Sequence, residues 1–301
     1  MNLRALFKPL NQRTQSMEKT FISPAELKSL MATEPVVIID TRDPASYAAG
    51  HIAGAVNLHE IFTYLATSTP EGMKELTGKF ADAFGSAGLS GKEIAVVYEQ
   101  SMTTGFGQSC RGYYLLKYLG YPKVMVLHGG LTAWLADGNT TTTEVPAVTS
   151  ATFPIDAKAA SVMVDKDMVL GVVKKGGAVL LDVRDADEWI GESSSPYGKD
   201  FCPRKGRIPG AKWIEWYRMM KPSAAGPVMK SPDELKAEIA SVGITPETPV
   251  ILYCFKGARA SNTFLALKEA GVKDVRMYFG SWNEWSRDPS LPIESGLPFK
   301  I

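Results

Sequence analysis

The sequence predicts two tandem α/β domains, each a parallel sheet flanked by helices, and three observations lead there. The chain repeats itself: Val36-Val37-Ile38-Ile39-Asp40-Thr41-Arg42-Asp43 returns as Ala178-Val179-Leu180-Leu181-Asp182-Val183-Arg184-Asp185, 142 residues later. Within each copy, short β-rich apolar runs alternate with capped helical patterns, as parallel strands joined by helical crossovers require. A chain of 301 residues with 45% hydrophobic content also has enough apolar surface for two cores.

Residues 1–20 carry Arg4, Lys8 and Arg13 around Leu6 and Phe7, lack the continuous apolar run of a secretory leader, and read as a tail. A cytoplasmic protein is expected, or a periplasmic one if a leader precedes this numbering. Ser23-Pro24-Ala25-Glu26 and Ser231-Pro232-Asp233-Glu234 each combine an N-cap serine, a first-turn proline and a third-position glutamate, so each starts a helix. Gly88 to Glu99 aligns without gaps on Gly243 to Cys254, now at an offset of 155, which sets Glu99 at the position of Cys254. The second copy therefore gains thirteen residues, largely within the polar stretch 191–205, a loop long enough to be functional or mobile. A third block, Gly120 to Trp134, matches Gly271 to Trp285 and shares Gly129/Gly280 and Trp134/Trp285. Gly138-Asn139 and the threonines beyond, through Pro146 to Pro154, lack apolar periodicity. The expected division is a first domain over 21–138, a linker over 139–156 and a second domain over 157–301.

Composition narrows the function classes. Lys and Arg total 33 against 32 Asp and Glu, a net charge of +1, so no global field attracts a polyanion or a charged membrane. Neither nucleic acid nor a membrane is expected as a partner, and an anion must be captured locally. The longest apolar runs, such as 94–98 and 250–254, are strand-length, short of the ~18 residues of a spanning helix. Three cysteines cannot build a disulfide framework or a four-cysteine site, and His51 and His59 have no metal-ligand spacing. No metal or other cofactor is expected.

The chemistry concentrates at Cys254-Phe255-Lys256-Gly257-Ala258-Arg259, a tight loop between an apolar strand and a helix carrying Phe264, Leu265 and Leu267. Ligands bind at the carboxyl ends of parallel strands, where a helix N-terminus also aims unpaired N–H groups at one point. A thiolate there gains from those groups, from the helix dipole, and from Lys256 and Arg259, which makes Cys254 the expected nucleophile. Gly257 supplies a conformation that a Cβ would hinder. Cys110, ahead of the helical run 113–119, reads as a packing residue, and Cys202 in the long insert as a candidate redox partner of Cys254.

The repeat and the loop together resemble the tandem rhodanese family of sulfurtransferases, over nearly all of residues 21–296. The motifs are Asp40-Thr41-Arg42 and Asp182-Val183-Arg184, Gly50-His51-Ile52-Ala53-Gly54-Ala55 and Gly206-Arg207-Ile208-Pro209-Gly210-Ala211, the Cys254 loop, and the closing Gly-x-x-x-x-Trp of each copy. The resemblance implies that the second domain is catalytic through a Cys254 persulfide, and that the first, with Glu99 in place of the cysteine, is an inactive partner supplying burial and walls. It implies a monomer acting on a small sulfur-donor anion, thiosulfate or 3-mercaptopyruvate, with a thiol or cyanide as acceptor. Arg207 stands in place of the usual histidine and Arg259 in place of the threonine of animal enzymes, so the loop resembles the bacterial version. Lys256 resembles the lysine of thiosulfate enzymes, and a dianion gains more from an ammonium than a monocarboxylate does. Arg184 is a candidate carboxylate clamp or else a structural partner of Asp182 or Asp185; Arg204, Lys205 and Arg207 are candidates for steering an anion to the mouth. Two other functions stay open: a phosphatase or arsenate reductase of the same fold, whose loop has five residues between cysteine and arginine where this one has four, and a non-catalytic sulfur-binding or redox-sensing module.

Overall fold

The computed structural model describes residues 19–297, so nearly all of the tail expected over residues 1–20, with Arg4, Lys8 and Arg13, lies outside the described residues. Ser23 caps the helix Pro24–Thr33 and the Glu26 carboxylate accepts the Ser23 N–H at 3.0 Å; Ser231 and Glu234 repeat the arrangement at the helix Pro232–Ala240. Both helix starts expected from the sequence are therefore present, each with two otherwise orphaned N–H groups satisfied.

The first sheet contains β1 (Phe21–Ile22), β2 (Val36–Asp40), β3 (Ala55–Asn57), β4 (Ile94–Tyr98) and β5 (Val124–Leu127), all parallel, in the order β1-β5-β4-β2-β3. The second contains β6 (Met163–Val164), β7 (Val179–Asp182), β8 (Lys212–Trp213), β11 (Val250–Tyr253) and β12 (Val275–Tyr278), also all parallel, in the order β6-β12-β11-β7-β8. A small antiparallel ribbon, β9 (Met220–Lys221) with β10 (Val228–Met229), lies between β8 and β11 in sequence. The corresponding strands take corresponding places, so the sequence repeat is a repeat in space. β4 and β11 are each buried along their whole length because helices cover both faces of a parallel sheet, which explains their unbroken apolar runs.

The repeat extends to single hydrogen bonds. Arg42 pairs with Asp40 and donates to the Gly50 carbonyl at 2.8 Å; Arg184 pairs with Asp182 and donates to the Gly206 carbonyl at 2.8 Å. The Tyr98 hydroxyl accepts from Ile52 N at 3.2 Å, and Tyr253 from Ile208 N at 3.2 Å. Trp134 and Trp285 each donate Nε1 to a carbonyl, of Thr140 and Pro292, at 2.9 Å.

Residues 139–156 contain no helix or strand beyond an isolated bridge between His51 and Thr142, and they run along the first domain. Ala151 N donates to Gly85 O at 2.8 Å and Phe153 is buried against Phe84 and Tyr121. The two domains meet where the helices Gln108–Tyr118 and Ala258–Glu269 pack together. Leu115 and Leu116 share one hydrophobic cluster with Phe264 and Leu267, and Tyr114 stacks on Phe279 at 5.6 Å and meets Phe264 edge-on at 5.0 Å. Among the described residues no helix is long and apolar enough to cross a membrane.

Candidate active site

Cys254 follows the last residue of β11, the middle strand of its sheet, and the chain turns at once into the helix Ala258–Glu269. Gly257 makes that turn at φ +91°, and a Cβ there would lie 2.9 Å from the Phe279 ring, so both backbone and space demand glycine. The carbonyls of Cys254 and Phe255 accept from Trp282 N and Asn283 N at 3.0 and 2.9 Å, while Gly257 N donates to Cys254 Sγ at 3.1 Å. The loop thus directs its carbonyls into the protein and an N–H at the sulfur, the polarity that stabilises a thiolate.

Cys254 lines a cavity of about 260 Å³, small by the standard of drug-sized pockets and roomy for an inorganic anion. The first domain supplies Phe62, Thr104, Phe106 and Gln108 to its walls; the 191–205 insert supplies Pro196 and Tyr197. The insert is held by its aromatics, Tyr197 and Phe201 meeting the Phe255 ring edge-on at 5.5 and 5.8 Å. Lys256 is almost fully buried, its ammonium 3.8 Å from the centre of the Phe62 ring and 4.9 Å from that of Tyr197. Burial, then the nearby Arg111 and Arg259, push its pKa down to about 7, against the pull of Cys254.

Arg259 lines the same cavity, but Glu188 grips it with bonds of 2.6 and 3.0 Å and Asp185 adds a third contact at 3.0 Å. Burial works against its charge, yet Glu188, helped by Cys254 and Asp185, more than offsets that and raises its pKa. Glu188→Gln would leave the buried guanidinium short of a countercharge. A loss of about 3 kcal/mol is expected, the low end for breaking a buried pair because Asp185 remains. It should be read as a lower urea midpoint, and an unchanged midpoint would refute the assignment.

The other candidates are placed elsewhere. Arg184 is wholly buried, its guanidinium on Asp182 and 4.6 Å from the Trp282 ring centre; it does not line the cavity where a carboxylate clamp would be needed, and Arg42 repeats its pairing in the first domain. Arg204 donates to the carbonyls of Trp285, Ser286, Asp288 and Leu291, tying down the chain after the last helix. Arg207 bonds the carbonyls of Trp189 and Gly296 and pairs with Glu294, which matches His51 bonding Tyr47 and Glu144 in the first domain. Lys205 pairs with Asp200 at the surface. None of these three lines the cavity, and two of them, Lys205 and Arg207, carry a paired carboxylate. All three cysteines are free: Cys110 packs in the shared core, and Cys202 is buried against Arg287 and Asn283, at 3.8 and 4.0 Å.

In the first domain Glu99 follows β4 as Cys254 follows β11. Its carboxylate accepts from Gln108 N and the Ser109 hydroxyl, each at 2.9 Å, so the chain's own side chain fills that loop. Burial raises its pKa to about 7, with those hydrogen bonds opposing. Sequence reasoning missed Arg111, Phe62, Tyr197 and Glu188. Two of them left a signal: Glu188 in the Asp185-x-x-Glu188 capping box, and Tyr197 in its place within the 191–205 insert.

A sequence profile described as the Rhodanese-like domain matches residues 23–137 and again 166–288. The chain is 30% identical over 276 residues to a thiosulfate sulfurtransferase of Azotobacter vinelandii, covering 91% of this chain and 96% of that protein. It is also 30% identical over 256 residues to the sulfur carrier protein TtuD of Thermus thermophilus, covering 83% and 87%. Among solved structures, wild-type EanB superposes with a TM-score of 0.79 at 25% identity, covering 95% of this chain and 72% of that one. A variant of EanB carries ergothioneine covalently linked with a persulfide cysteine. With the same domain matched twice and relatives aligned nearly end to end, the chain belongs to the rhodanese family and is a tandem-domain sulfurtransferase.

Proposed function

We propose that the protein takes the outer sulfur of thiosulfate onto Cys254 and passes it to a small thiol or cyanide. The Cys254 thiolate attacks the outer sulfur, the sulfur–sulfur bond of thiosulfate breaks, and sulfite leaves with the electron pair. The acceptor then attacks the outer sulfur of the persulfide and Cys254 departs as thiolate, so no external oxidant or reductant is consumed. The observation that carries this reading is the Gly257 N–H on Cys254 Sγ at the wall of a cavity whose flanking carboxylate, Glu188, is already taken by Arg259. The names of the curated relatives support thiosulfate as donor. So does the placement of Arg184, whose guanidinium pairs with Asp182 away from the cavity walls and so does not face a donor carboxylate there.

Lys256 is the donor-binding cation in this reading. Its replacement by serine should raise the thiosulfate KM by about 10- to 100-fold, the worth of one charge-assisted contact, and leave 3-mercaptopyruvate turnover less affected. Because the ammonium form dominates below its pKa of about 7, wild-type thiosulfate affinity should be greatest on the acid side and fall as pH rises through that value. Steady-state comparison of the two donors in both proteins decides it. A wild-type preference for mercaptopyruvate, or an unchanged thiosulfate KM in the variant, would rule the donor assignment out.

A further inference from the structure

Arg111, on the first-domain helix Gln108–Tyr118, has no part in the chemistry above, yet it is buried completely and its Nε has no hydrogen-bond partner. Its two remaining nitrogens donate to two carbonyls at the end of the short helix Glu60–Thr63, Nη1 to that of Phe62 at 2.9 Å and Nη2 to that of Tyr64 at 2.8 Å. Phe62 is the residue whose ring lies under the Lys256 ammonium. The guanidinium also lies 4.6 Å from the centre of the Phe279 ring, the ring that excludes a Cβ at Gly257. It therefore reaches the sulfur-bearing loop from two sides, through Phe62 to Lys256 and through Phe279 to Gly257.

We infer that Arg111 is a positioning residue through which the first domain sets the placement and charge state of Lys256. The inference rests on Lys256 being the donor-binding cation. Holding two carbonyls in different directions needs the planar fork of arginine, which lysine lacks. Burial lowers the Arg111 pKa to about 10, so the group stays charged at neutral pH and acts on Lys256 as a like charge. The charged or titratable groups facing Lys256 are Arg111 from the first domain, Cys254 and Arg259 from its own loop, and Tyr197 from the insert, with Glu188 and Asp185 bound to Arg259. Arg111 and the Phe62 ring act with opposite signs: the cation disfavours the ammonium and the ring face favours it.

The opposition gives a test that a merely structural arginine fails. The thiosulfate KM is measured across neutral pH for wild type, Arg111→Met, Arg111→Lys and Phe62→Leu, with kcat followed separately. Arg111→Met should move the pH at which KM rises upward by about one unit, through loss of a like charge. Phe62→Leu, which keeps the site apolar but removes the ring face, should move it downward. Arg111→Lys should keep the wild-type inflection while raising KM a few-fold, about the worth of one lost hydrogen bond. A lower melting temperature with an unmoved inflection in Arg111→Met, or a shift of the same sign in Arg111→Met and Phe62→Leu, overturns the inference. If Arg111→Met does not fold, an unmoved or upward inflection in the half-buried Phe62→Leu does so alone. A wild-type KM without any inflection overturns instead the reading of Lys256 on which the inference rests.

Discussion

Cys254→Ser should abolish sulfur loading and lower turnover by at least about 10³-fold, since a serine hydroxyl lacks the nucleophilicity of a thiolate toward sulfur and cannot carry a persulfide. The substitution is nearly isosteric at a site 1% exposed, and a serine oxygen can still accept the Gly257 N–H, so the fold should survive. Intact mass gives a direct readout. Thiosulfate alone should add roughly 32 Da, one sulfur, to wild type and nothing to the variant. Retention of the adduct would move the assignment to another cysteine. The environments of the others argue against them: burial, then Glu99, pushes the Cys110 thiol pKa up, and Cys202 is packed outside the cavity.

A fragment of residues 151–301 should be insoluble or lose most of its activity, although it contains Cys254 and the whole of its loop. Removing the first domain uncovers Phe264 and Phe279, which Tyr114 now covers, and splits a hydrophobic cluster that runs through both domains. Each large apolar side chain returned to water costs about 1.5–3 kcal/mol, and an exposed face of this kind promotes association. Polar ties go as well. Ser68 N donates to Glu284 at 2.7 Å, His128 accepts from Met229 N at 2.9 Å, and Tyr114 donates to the Val162 carbonyl at 2.9 Å. Lys256 would also lose the Phe62 ring, and with it one wall of its seat. Sedimentation and persulfide loading on the fragment decide the matter: a stable monomer with full activity would show that the first domain is dispensable.

The sequence by itself determined the elements whose causes are local. A serine, a proline and a glutamate within four residues start a helix wherever they fall, and Ser23 and Ser231 do so. An unbroken apolar run ending in Cys254 and followed by Lys256-Gly257 specifies a buried strand, a tight turn and a helix start, because each depends on neighbours a few residues away. The repeat made the first-domain counterpart, Glu99, legible for the same reason. Only the tertiary structure decided the partners of the long cationic side chains. Arg204 and Arg207 read alike in sequence, as charges that could steer an anion to the mouth, yet each is held by carbonyls or a carboxylate brought to it by packing. Arg111 and Phe62 carried no sign of belonging to the site, since they lie in the other domain and reach Lys256 across the interface. A guanidinium at the end of a flexible stem takes whichever acceptors the folded chain presents. Those acceptors lie up to 89 residues away, as Gly296 does from Arg207, beyond the reach of any local pattern.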